Sequence, residues 1–275
     1  KRQGLLILLL ISIGFSGIGQ ETCDCDSVFT FVYGQWDKVD NMSYRSTKTE
    51  RKLGEYEKAS FDFVIQRSPF KVAGLMVDKG HRILYDPNLK AQEGLYIPNG
   101  FPFTNLWLDI DGNLFRGLNH YTISNAGCNF IFGIIRNEYK KMPDKFSCTK
   151  ERVDGEDQIR IYAETGSFGT YTYTGLAGET VLSVSEKLKA MAYLLIEYND
   201  NIKGYTDDVE GLEMKIPTHY GSKVALVVSA KHGLPLLIQV SDPTGLVQEY
   251  RYTNYQFDLE LDEDYFTEDF QDELD

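Results

Sequence analysis

The chain has few residues of the kinds that carry catalysis or hold cofactors. Among its 275 residues there are four histidines and four cysteines, and no Gly-x-Gly-x-x-Gly, P-loop, His-Glu-x-x-His or Gly-x-Ser-x-Gly motif occurs. The histidines are His81, His120, His219 and His232, and none stands beside a serine, cysteine or acid in a recognisable catalytic spacing. His120, beside Tyr121, is the best candidate, but a lone histidine at a strand end is more often structural. The sequence therefore predicts no catalytic residues, no enzyme activity and no cofactor.

The chain also lacks an apolar run long enough to span a bilayer comfortably. The apolar run at Gly4–Phe15 follows two basic residues, and Gly17-Ile18-Gly19 supplies small residues at the spacing that signal peptidase reads. We interpret residues 1–19 as a secretory signal and predict an exported protein that begins at Gln20.

The residues after this leader bear on whether a lipid anchor follows it. Cys23 suggests the alternative of a lipoprotein, whose lipid is attached to a cysteine just after the leader. Glu21 and Thr22, however, occupy positions where a lipobox has small residues. Soluble export is therefore favoured over lipid anchoring.

An exported protein can form disulfide bonds. Cys23, Cys25, Cys128 and Cys148 could pair in three ways, and the sequence does not choose among them. Cys23-Asp24-Cys25 lacks the spacing of a zinc or redox motif and has no histidine nearby, which argues against a metal site. The structural interpretation is a disulfide between Cys128 and Cys148, or free thiols.

Positive charge is scarce, particularly at the carboxyl end. Lysines and arginines number 28 against 41 acidic residues, a formal net charge of −13. Residues 258–275 hold ten acidic residues and no lysine or arginine. Such a balance repels nucleic acid and anionic membrane surfaces, so neither is expected as a partner. The acidic segment itself is expected to be solvated and partly disordered.

What the sequence does contain is a long series of β-strand patterns. From Met42 onward apolar residues alternate with polar ones, and the breaks between segments carry Gly or Pro. In Lys58–Arg67, for example, Phe61, Phe63 and Ile65 point to one face and the intervening polar residues to the other. This alternation predicts an antiparallel sheet with one buried and one solvated face.

The last third of the chain supplies the longest strands. Lys231–Phe266 indicates two neighbouring strands that reverse at Asp242–Gly245, a hairpin too apolar to stand alone in water. Val224–Ala230 is apolar at nearly every position, which predicts a central strand covered on both faces. Helical spacing appears at Ser27–Val39 and at Ile123–Glu138, where Ser124 is a plausible cap.

Several sequence blocks recur in one order in a known family. They are Ser68–Val72, His81–Tyr85, Leu106–Gly112, Asn119–Ile123 with Gly127, Gly233–Pro235, Asp242, Gly245 and Glu249-Tyr250. Together they resemble an uncharacterised secreted family of Gram-negative bacteria, the domain of unknown function numbered fifteen-seventy-one. That family is grouped with LolA-like folds. The resemblance implies an α+β fold for residues 20–275, a curved antiparallel sheet forming an open half-barrel covered by helices, in a periplasmic protein of the cell envelope.

A second resemblance covers an insert within that domain. Gly178–Pro217 predicts two short helices followed by a strand, and residues 172–217 resemble a LysM unit, a strand–helix–helix–strand module. LysM modules bind the N-acetylglucosamine backbone of peptidoglycan. The resemblance therefore implies a peptidoglycan tether as an alternative function, although a purely structural insert is favoured.

A half-barrel with an apolar concave face, closed by a helix, makes a cavity suited to acyl chains. The first resemblance implies that lipid, or the acyl chain of a lipoprotein, is the ligand and partner. Strand alternation selects the candidate wall residues of this cavity: Phe61, Phe63, Ile83, Trp107, Leu226, Val228 and Ile238. Any one of them could equally fill an ordinary core.

Overall fold

The alternating apolar pattern forms a large antiparallel sheet in a computed structural model, which describes residues 21–273. The predicted leader, residues 1–19, lies outside the described residues. Within residues 21–273, no helix has the length and apolar character needed to cross a membrane.

Fourteen strands and five α-helices occur within the described part of the chain. The strands are β1 (Glu21–Cys23), β2 (Asn41–Lys52), β3 (Glu55–Gln66), β4 (Lys71–Met76), β5 (Arg82–Tyr85), β6 (Glu93–Ile97), β7 (Leu106–Asp109), β8 (Phe146–Val153), β9 (Glu156–Glu164), β10 (Thr170–Thr174), β11 (Glu213–Pro217), β12 (Lys223–Ser229), β13 (Pro235–Asp242) and β14 (Gly245–Phe257). The helices are α1 (Cys25–Trp36), α2 (Asn129–Lys141), α3 (Val181–Leu188), α4 (Ala192–Glu197) and α5 (Glu268–Glu273).

Twelve of these strands form one sheet, in the order β1-β8-β9-β12-β13-β14-β2-β3-β4-β5-β6-β7. All of its pairs are antiparallel, and β1 and β7 are its two edges, so the sheet is open. The predicted fold class, a curved and unclosed antiparallel sheet with covering helices, is confirmed. The strand order is not a simple meander, because the last strand, β14, pairs with β2 and joins two separate series of strands.

The strand register defines two faces of the sheet, because direct cross-strand partners point the same way. We call the face that carries Tyr44, Phe63 and Ile238 the inner face. Its buried residues share one core with side chains of α1, α2, α3 and α4, so these four helices cover it. The predicted hairpin is present as β13 and β14, and β12 lies between β9 and β13 with five consecutive buried residues, as expected for a central strand.

The second predicted helix begins later than expected. Ile123–Asn125 forms only a 3-10 turn, and α2 starts at Asn129, so Ser124 does not cap it. Gly127 lies between them with φ +88°, a left-handed conformation that interrupts the helix. A Cβ at Gly127 would lie 3.2 Å from Cη2 of Trp36, so α1 packs directly against this turn.

The predicted order of two short helices and a strand is present in residues 178–217. The strands β10 and β11 form a separate antiparallel pair that flanks α3 and α4. Lys189 ends α3 in a left-handed conformation, φ 54°, at a position where glycine is usual. Tyr193, Leu194 and Leu195 of α4 are fully buried in the main core. This unit is therefore continuous with the sheet domain.

The acidic carboxyl segment packs against the other side of the sheet, which we call the outer face. Phe266 is 4% exposed, and Leu261 and Tyr265 pack beside it. They cover an apolar patch of outer-face residues on β4, β5 and β6: Ala73, Leu84, Leu95 and Ile97. The expectation of a solvated and partly disordered end does not hold for Leu261–Phe266, because three apolar side chains of this stretch pack against the sheet.

The disulfide also differs from the sequence interpretation. Cys25 pairs with Cys148, whereas Cys23 and Cys128 are free, so the proposed Cys128–Cys148 bond is wrong. The reason is the pairing of β1 with β8, which brings the start of α1 beside Cys148. Cys128 lies buried in the core at the start of α2.

Candidate functional site

A cavity of about 150 Å³ lies on the inner face of β2 to β6 and β14. The register places Phe61 opposite Met76, and Phe63 opposite Gly74. Gly74 has Ile83 on its other side, and Ile83 in turn pairs with Tyr96. Adjacent strands therefore bring alternate apolar residues together as one aromatic-rich wall.

Gly74 leaves room for this wall. A Cβ at this position would lie 2.8 Å from Cε1 of Phe63 and 3.0 Å from Cγ1 of Ile83. The rings of Phe61 and Phe63 stack with centroids 5.6 Å apart, and Tyr44 lies 5.5 Å from Phe63 between ring centroids. The side chains of the wall therefore pack closely over Gly74, which has no side chain of its own.

The segment 115–127 lies over the cavity, which Phe115, Ile123 and Ala126 also line. The backbone of this segment is held by the buried side chain of Arg116, which is 5% exposed. The guanidinium donates to Asp111 Oδ1 at 2.7 Å and to the carbonyl oxygen of His120 at 2.6 Å. Because its partners lie both before and after it in the chain, Arg116 holds the segment in a fixed loop.

A second cavity, of about 550 Å³, lies between α2 and the helices α3 and α4. It shares Arg116, Tyr121, Thr122 and Asn125 with the first cavity, so the segment 115–127 separates the two. The lining is more polar and includes amide, hydroxyl and carboxylate side chains: Asn129, Asn137, Glu138, Ser185 and Glu186. Its volume lies in the range of ligand pockets, whereas the first cavity is smaller than that range.

A buried ionic network stands at the boundary between these cavities. Glu50 is fully buried, and its Oε2 accepts a hydrogen bond from Lys48 Nζ at 2.9 Å. Its Oε1 accepts from the backbone N–H of His120 at 3.0 Å and from the hydroxyl of Tyr250. Burial acts to raise the pKa of Glu50. The combined effect of Lys48, His120 and the hydrogen bond from Tyr250 is larger and lowers the pKa to about 2. Glu50 is therefore a carboxylate at neutral pH.

Lys48 connects this network to the aromatic cavity, whose lining it shares. Its ammonium also donates to Asn119 Oδ1 at 2.8 Å and lies 5.6 Å from the ring centroid of Phe61. Burial lowers the pKa of Lys48, while Glu50 opposes this shift. The cavity consequently has an apolar wall and, at Lys48 and Asn119, a polar corner.

His120 bridges the network to β14 through both ring nitrogens. Nε2 lies 2.9 Å from the carbonyl oxygen of Arg51, and Nδ1 lies 2.8 Å from the side-chain amide of Gln248. The carbonyl can only accept, so Nε2 carries a proton. The Nδ1 contact is to the amide oxygen Oε1 of Gln248, whose NH₂ donates instead to the hydroxyl of Tyr121. Burial lowers the pKa of His120, whereas Glu50 and the hydrogen bonds to Gln248 and to the Arg51 carbonyl oppose this shift. The stacked ring of Tyr193 covers the imidazole, with centroids 4.0 Å apart.

The predicted wall residues fall into three groups. Phe61, Phe63 and Ile83 line the aromatic cavity. Trp107 does not belong to this wall, because it pairs with Leu95 and therefore points to the outer face, where it packs beside the apolar patch. Leu226, Val228 and Ile238 lie on the inner face but are fully buried in the main core, away from the lining of the two cavities.

Sequence reasoning missed the polar half of the site. Lys48 and Glu50 occupy the same alternate positions of β2 as Met42 and Tyr44, so the period of two did contain a signal that they point inward. Gln248 gives a similar signal on β14, where it shares alternate positions with the buried Tyr250. The aromatic residues on the segment 115–127 carry no such periodicity.

The class of molecule defined by these features is an open antiparallel sheet whose inner face, covered by helices, holds an aromatic cavity beside a larger polar one. Comparison with known proteins adds little to this. No family model and no curated protein matches the chain. The predicted membership of the uncharacterised secreted family therefore stays a prediction.

Solved structures similar to this chain match it at low identity and with low TM-scores. They include an uncharacterised conserved protein from Thermus thermophilus (6% identity, 88% of this chain and 91% of that chain covered, TM-score 0.41). A LolA superfamily protein from Nitrosomonas europaea has 10% identity, with 88% of this chain and 98% of that chain covered and a TM-score of 0.34. The lipoprotein LppX from Mycobacterium tuberculosis has 9% identity, with 87% of this chain and 100% of that chain covered and a TM-score of 0.39. With TM-scores this low, we base no conclusion about ligand or partner on them.

Proposed function

We propose that this protein is a non-catalytic, exported envelope protein that binds the apolar part of a lipid or of an acylated protein. The observation that carries the proposal is the aromatic cavity on the inner face, in which Phe61, Phe63 and Ile83 meet under the segment 115–127. Apolar side chains on adjacent strands, with few polar groups at one corner, are typical of sites that hold apolar ligands.

The volume of the cavity limits what it can hold. A protein cavity of about 150 Å³ with apolar walls accommodates a molecule the size of benzene. The aromatic cavity, of about 150 Å³, therefore fits the end of an acyl chain, on the order of six carbons, and not a whole chain. The rest of the ligand needs other space.

The polar cavity of about 550 Å³ provides that space next to it. Its amides, hydroxyls and carboxylates suit a head group, and it shares the wall formed by Arg116, Tyr121, Thr122 and Asn125 with the aromatic cavity. We therefore propose an amphipathic ligand with its chain end among the aromatic side chains and its polar part between α2 and α3. Displacement of the side chains in this shared wall, with the backbone held by Arg116, would join the two cavities.

The test is mass spectrometry of organic extracts from protein purified without detergent. The full chain is compared with the variant Ile83→Trp, in which the larger ring occupies cavity space beside Phe63. The matched control is Thr47→Trp, which places the same ring at an exposed outer-face position of β2. Circular dichroism establishes that both variants are folded.

The expected result is a lipid at near-stoichiometric amount in the wild-type protein and in Thr47→Trp, and at least a tenfold lower amount in folded Ile83→Trp. The absence of any lipid in the wild-type extract, together with no uptake from added fatty acid, would refute the proposal. Equal lipid content in all three proteins would show that the ligand binds elsewhere.

Binding of peptidoglycan through residues 172–217 is a separate hypothesis. The burial of Tyr193, Leu194 and Leu195 in the main core favours a structural role for this unit instead. Retention of the full chain on purified sacculi, and its competition by soluble glycan fragments, would support the tether. Failure of the full chain to sediment with sacculi would rule it out.

A further inference from the structure

The loop between β6 and β7 carries two phenylalanines that are almost fully exposed. Phe101 is 85% exposed and Phe103 is 81% exposed, and their rings meet edge to face with centroids 6.1 Å apart. No charged residue occurs between Pro98 and Asn105, although a quarter of the chain is charged. An uncharged loop that presents two aromatic rings to water indicates a surface that is covered in use.

The base of this loop is fixed on both sides. The backbone N–H of Asn99 donates to Nδ1 of His81 at 3.0 Å, and its side chain donates to the carbonyl oxygen of Lys79 at 3.2 Å. At the other side, Asn105 Nδ2 donates to Glu268 Oε1 of α5 at 2.8 Å. The phenylalanines therefore project from a rigid base and do not fold back onto the sheet.

The tip also has fewer backbone N–H donors than a loop of its length usually has. Pro98 and Pro102 have no N–H, and the N–H of Phe103 donates to the carbonyl oxygen of Gly100 at 2.7 Å. Phe103 has φ 57°, a left-handed conformation that is unusual for a bulky residue. Few donors would lose a partner if the tip left water for an apolar medium.

From these features we infer that the Phe101–Phe103 tip inserts into the interface of a lipid bilayer. Aromatic rings are enriched at the level of the lipid head groups, where they can bury apolar surface beside polar groups. A stable protein interface needs about 800 Å² from each partner, and a convex tip with two rings offers far less. The bilayer is therefore the favoured occupant of this surface.

Charge decides which bilayer fits. The chain has a formal net charge of −13, so an anionic surface would repel it. Insertion must then be driven by the two rings, prefer zwitterionic lipid and be insensitive to added salt. The inference does not depend on the proposed ligand, although β6, which ends at this loop, also carries Tyr96 into the aromatic cavity.

The experiment is flotation of residues 20–275, the chain without its predicted leader, with vesicles of phosphatidylcholine and phosphatidylethanolamine, at low salt and at ~1 M sodium chloride, which screens exposed charges. The test variant is Phe101→Ser with Phe103→Ser. The matched control is Leu114→Ser, a change of an apolar residue that is 86% exposed on the loop at the other end of β7. All proteins are compared by circular dichroism and thermal unfolding.

Reversible wild-type binding is expected, unchanged by salt and by Leu114→Ser. Since each ring contributes about tenfold to partitioning, the double variant should bind about a hundredfold more weakly. The inference is overturned if the wild-type protein does not float, or if the double variant floats equally well. Self-association through the tip would also overturn it. In that case the molecular mass of the wild-type protein would rise with concentration, that of the double variant would not, and neither protein would bind vesicles.

Discussion

Replacing Arg51 by methionine should reveal how strongly the unit containing α3 and α4 is fixed to the sheet. Arg51 is 6% exposed and bonds two carboxylates at once. Its Nη2 lies 2.5 Å from Glu197 Oε2 of α4 and 2.5 Å from Asp242 Oδ2 at the end of β13. Removing the guanidinium leaves the fully buried Asp242 and the largely buried Glu197 without this counter-charge.

The expected cost follows from that loss. Breaking a buried ion pair by removing one partner typically destabilises a protein by about 3–5 kcal/mol. For a domain of this size each kcal/mol lowers the melting temperature by about 2–4 °C, so Arg51→Met should melt about 6–20 °C below the wild-type protein. Retained hydrogen bonds from Tyr198 and Thr244 to Asp242 place the effect within that range and not above it.

The deficit should also depend on pH. Burial acts to raise the pKa of Asp242, but hydrogen bonds from Arg51, Thr244 and Tyr198 lower it to about 2, below its ordinary value of 3.8. A carboxyl group whose folded pKa is depressed stabilises the fold above its unfolded pKa, and this contribution, about 2 kcal/mol, is lost as pH falls from about 4 toward 2. Because Arg51→Met lacks that contribution, its deficit should shrink as pH falls below 4.

Urea unfolding at pH 7 and at pH 3 measures both effects. The matched control is Arg45→Met, since Arg45 makes the same two-bond contact with Asp62, at 2.7 Å and 2.7 Å, but both side chains are about 40% exposed. That exposed pair should contribute less than about 1 kcal/mol. The reasoning is refuted if Arg51→Met loses no more stability than Arg45→Met at pH 7, or if its deficit grows at pH 3.

Three further predictions concern the remaining links in the fold. Cys148→Ser removes a disulfide that spans 123 residues and should cost about 3–5 kcal/mol in urea unfolding, an effect that dithiothreitol should reproduce in the wild-type protein. Phe266→Ala should cost about 3 kcal/mol and expose the acidic segment to limited proteolysis before the rest of the chain is cut. Gly127→Ala should destabilise by at least about 1 kcal/mol, because φ is +88° and Trp36 is close, whereas Gly133→Ala inside α2 should stabilise by up to about 1 kcal/mol. Equal melting temperatures for these two glycine variants would contradict the last prediction.

The sequence alone predicts those helices, strands and turns that are determined by residues close together in the chain. The turn at Asp242–Gly245, the central strand β12 and helix α1 all have their signals within a dozen neighbouring residues. The position of Phe266 has no such signal, because its partners on β4, β5 and β6 are far away in the chain. The start of α2 also depends on distant residues, because the turn at Gly127 that precedes it lies directly against Trp36.

The candidate site shows the same division. Alternation within β3 and β5 was enough to select Phe61, Phe63 and Ile83. It failed for Trp107, because the face of a short strand depends on its register with its neighbour and not on its own sequence. Alternation on β2 indicates that Glu50 points inward, but it does not reveal the groups that pair with it, since one of its partners, Tyr250, lies 200 residues away.

The pairing of β14 with β2 also sets an order on assembly during synthesis. Strand β2 is synthesised early, but one of its long sides stays unpaired until residues 248–257 of β14 have been made. An unpaired strand of twelve residues can associate with other chains. A nascent or carboxyl-truncated chain that ends before β14 is thus expected to need a chaperone, whereas the complete chain covers this strand by itself.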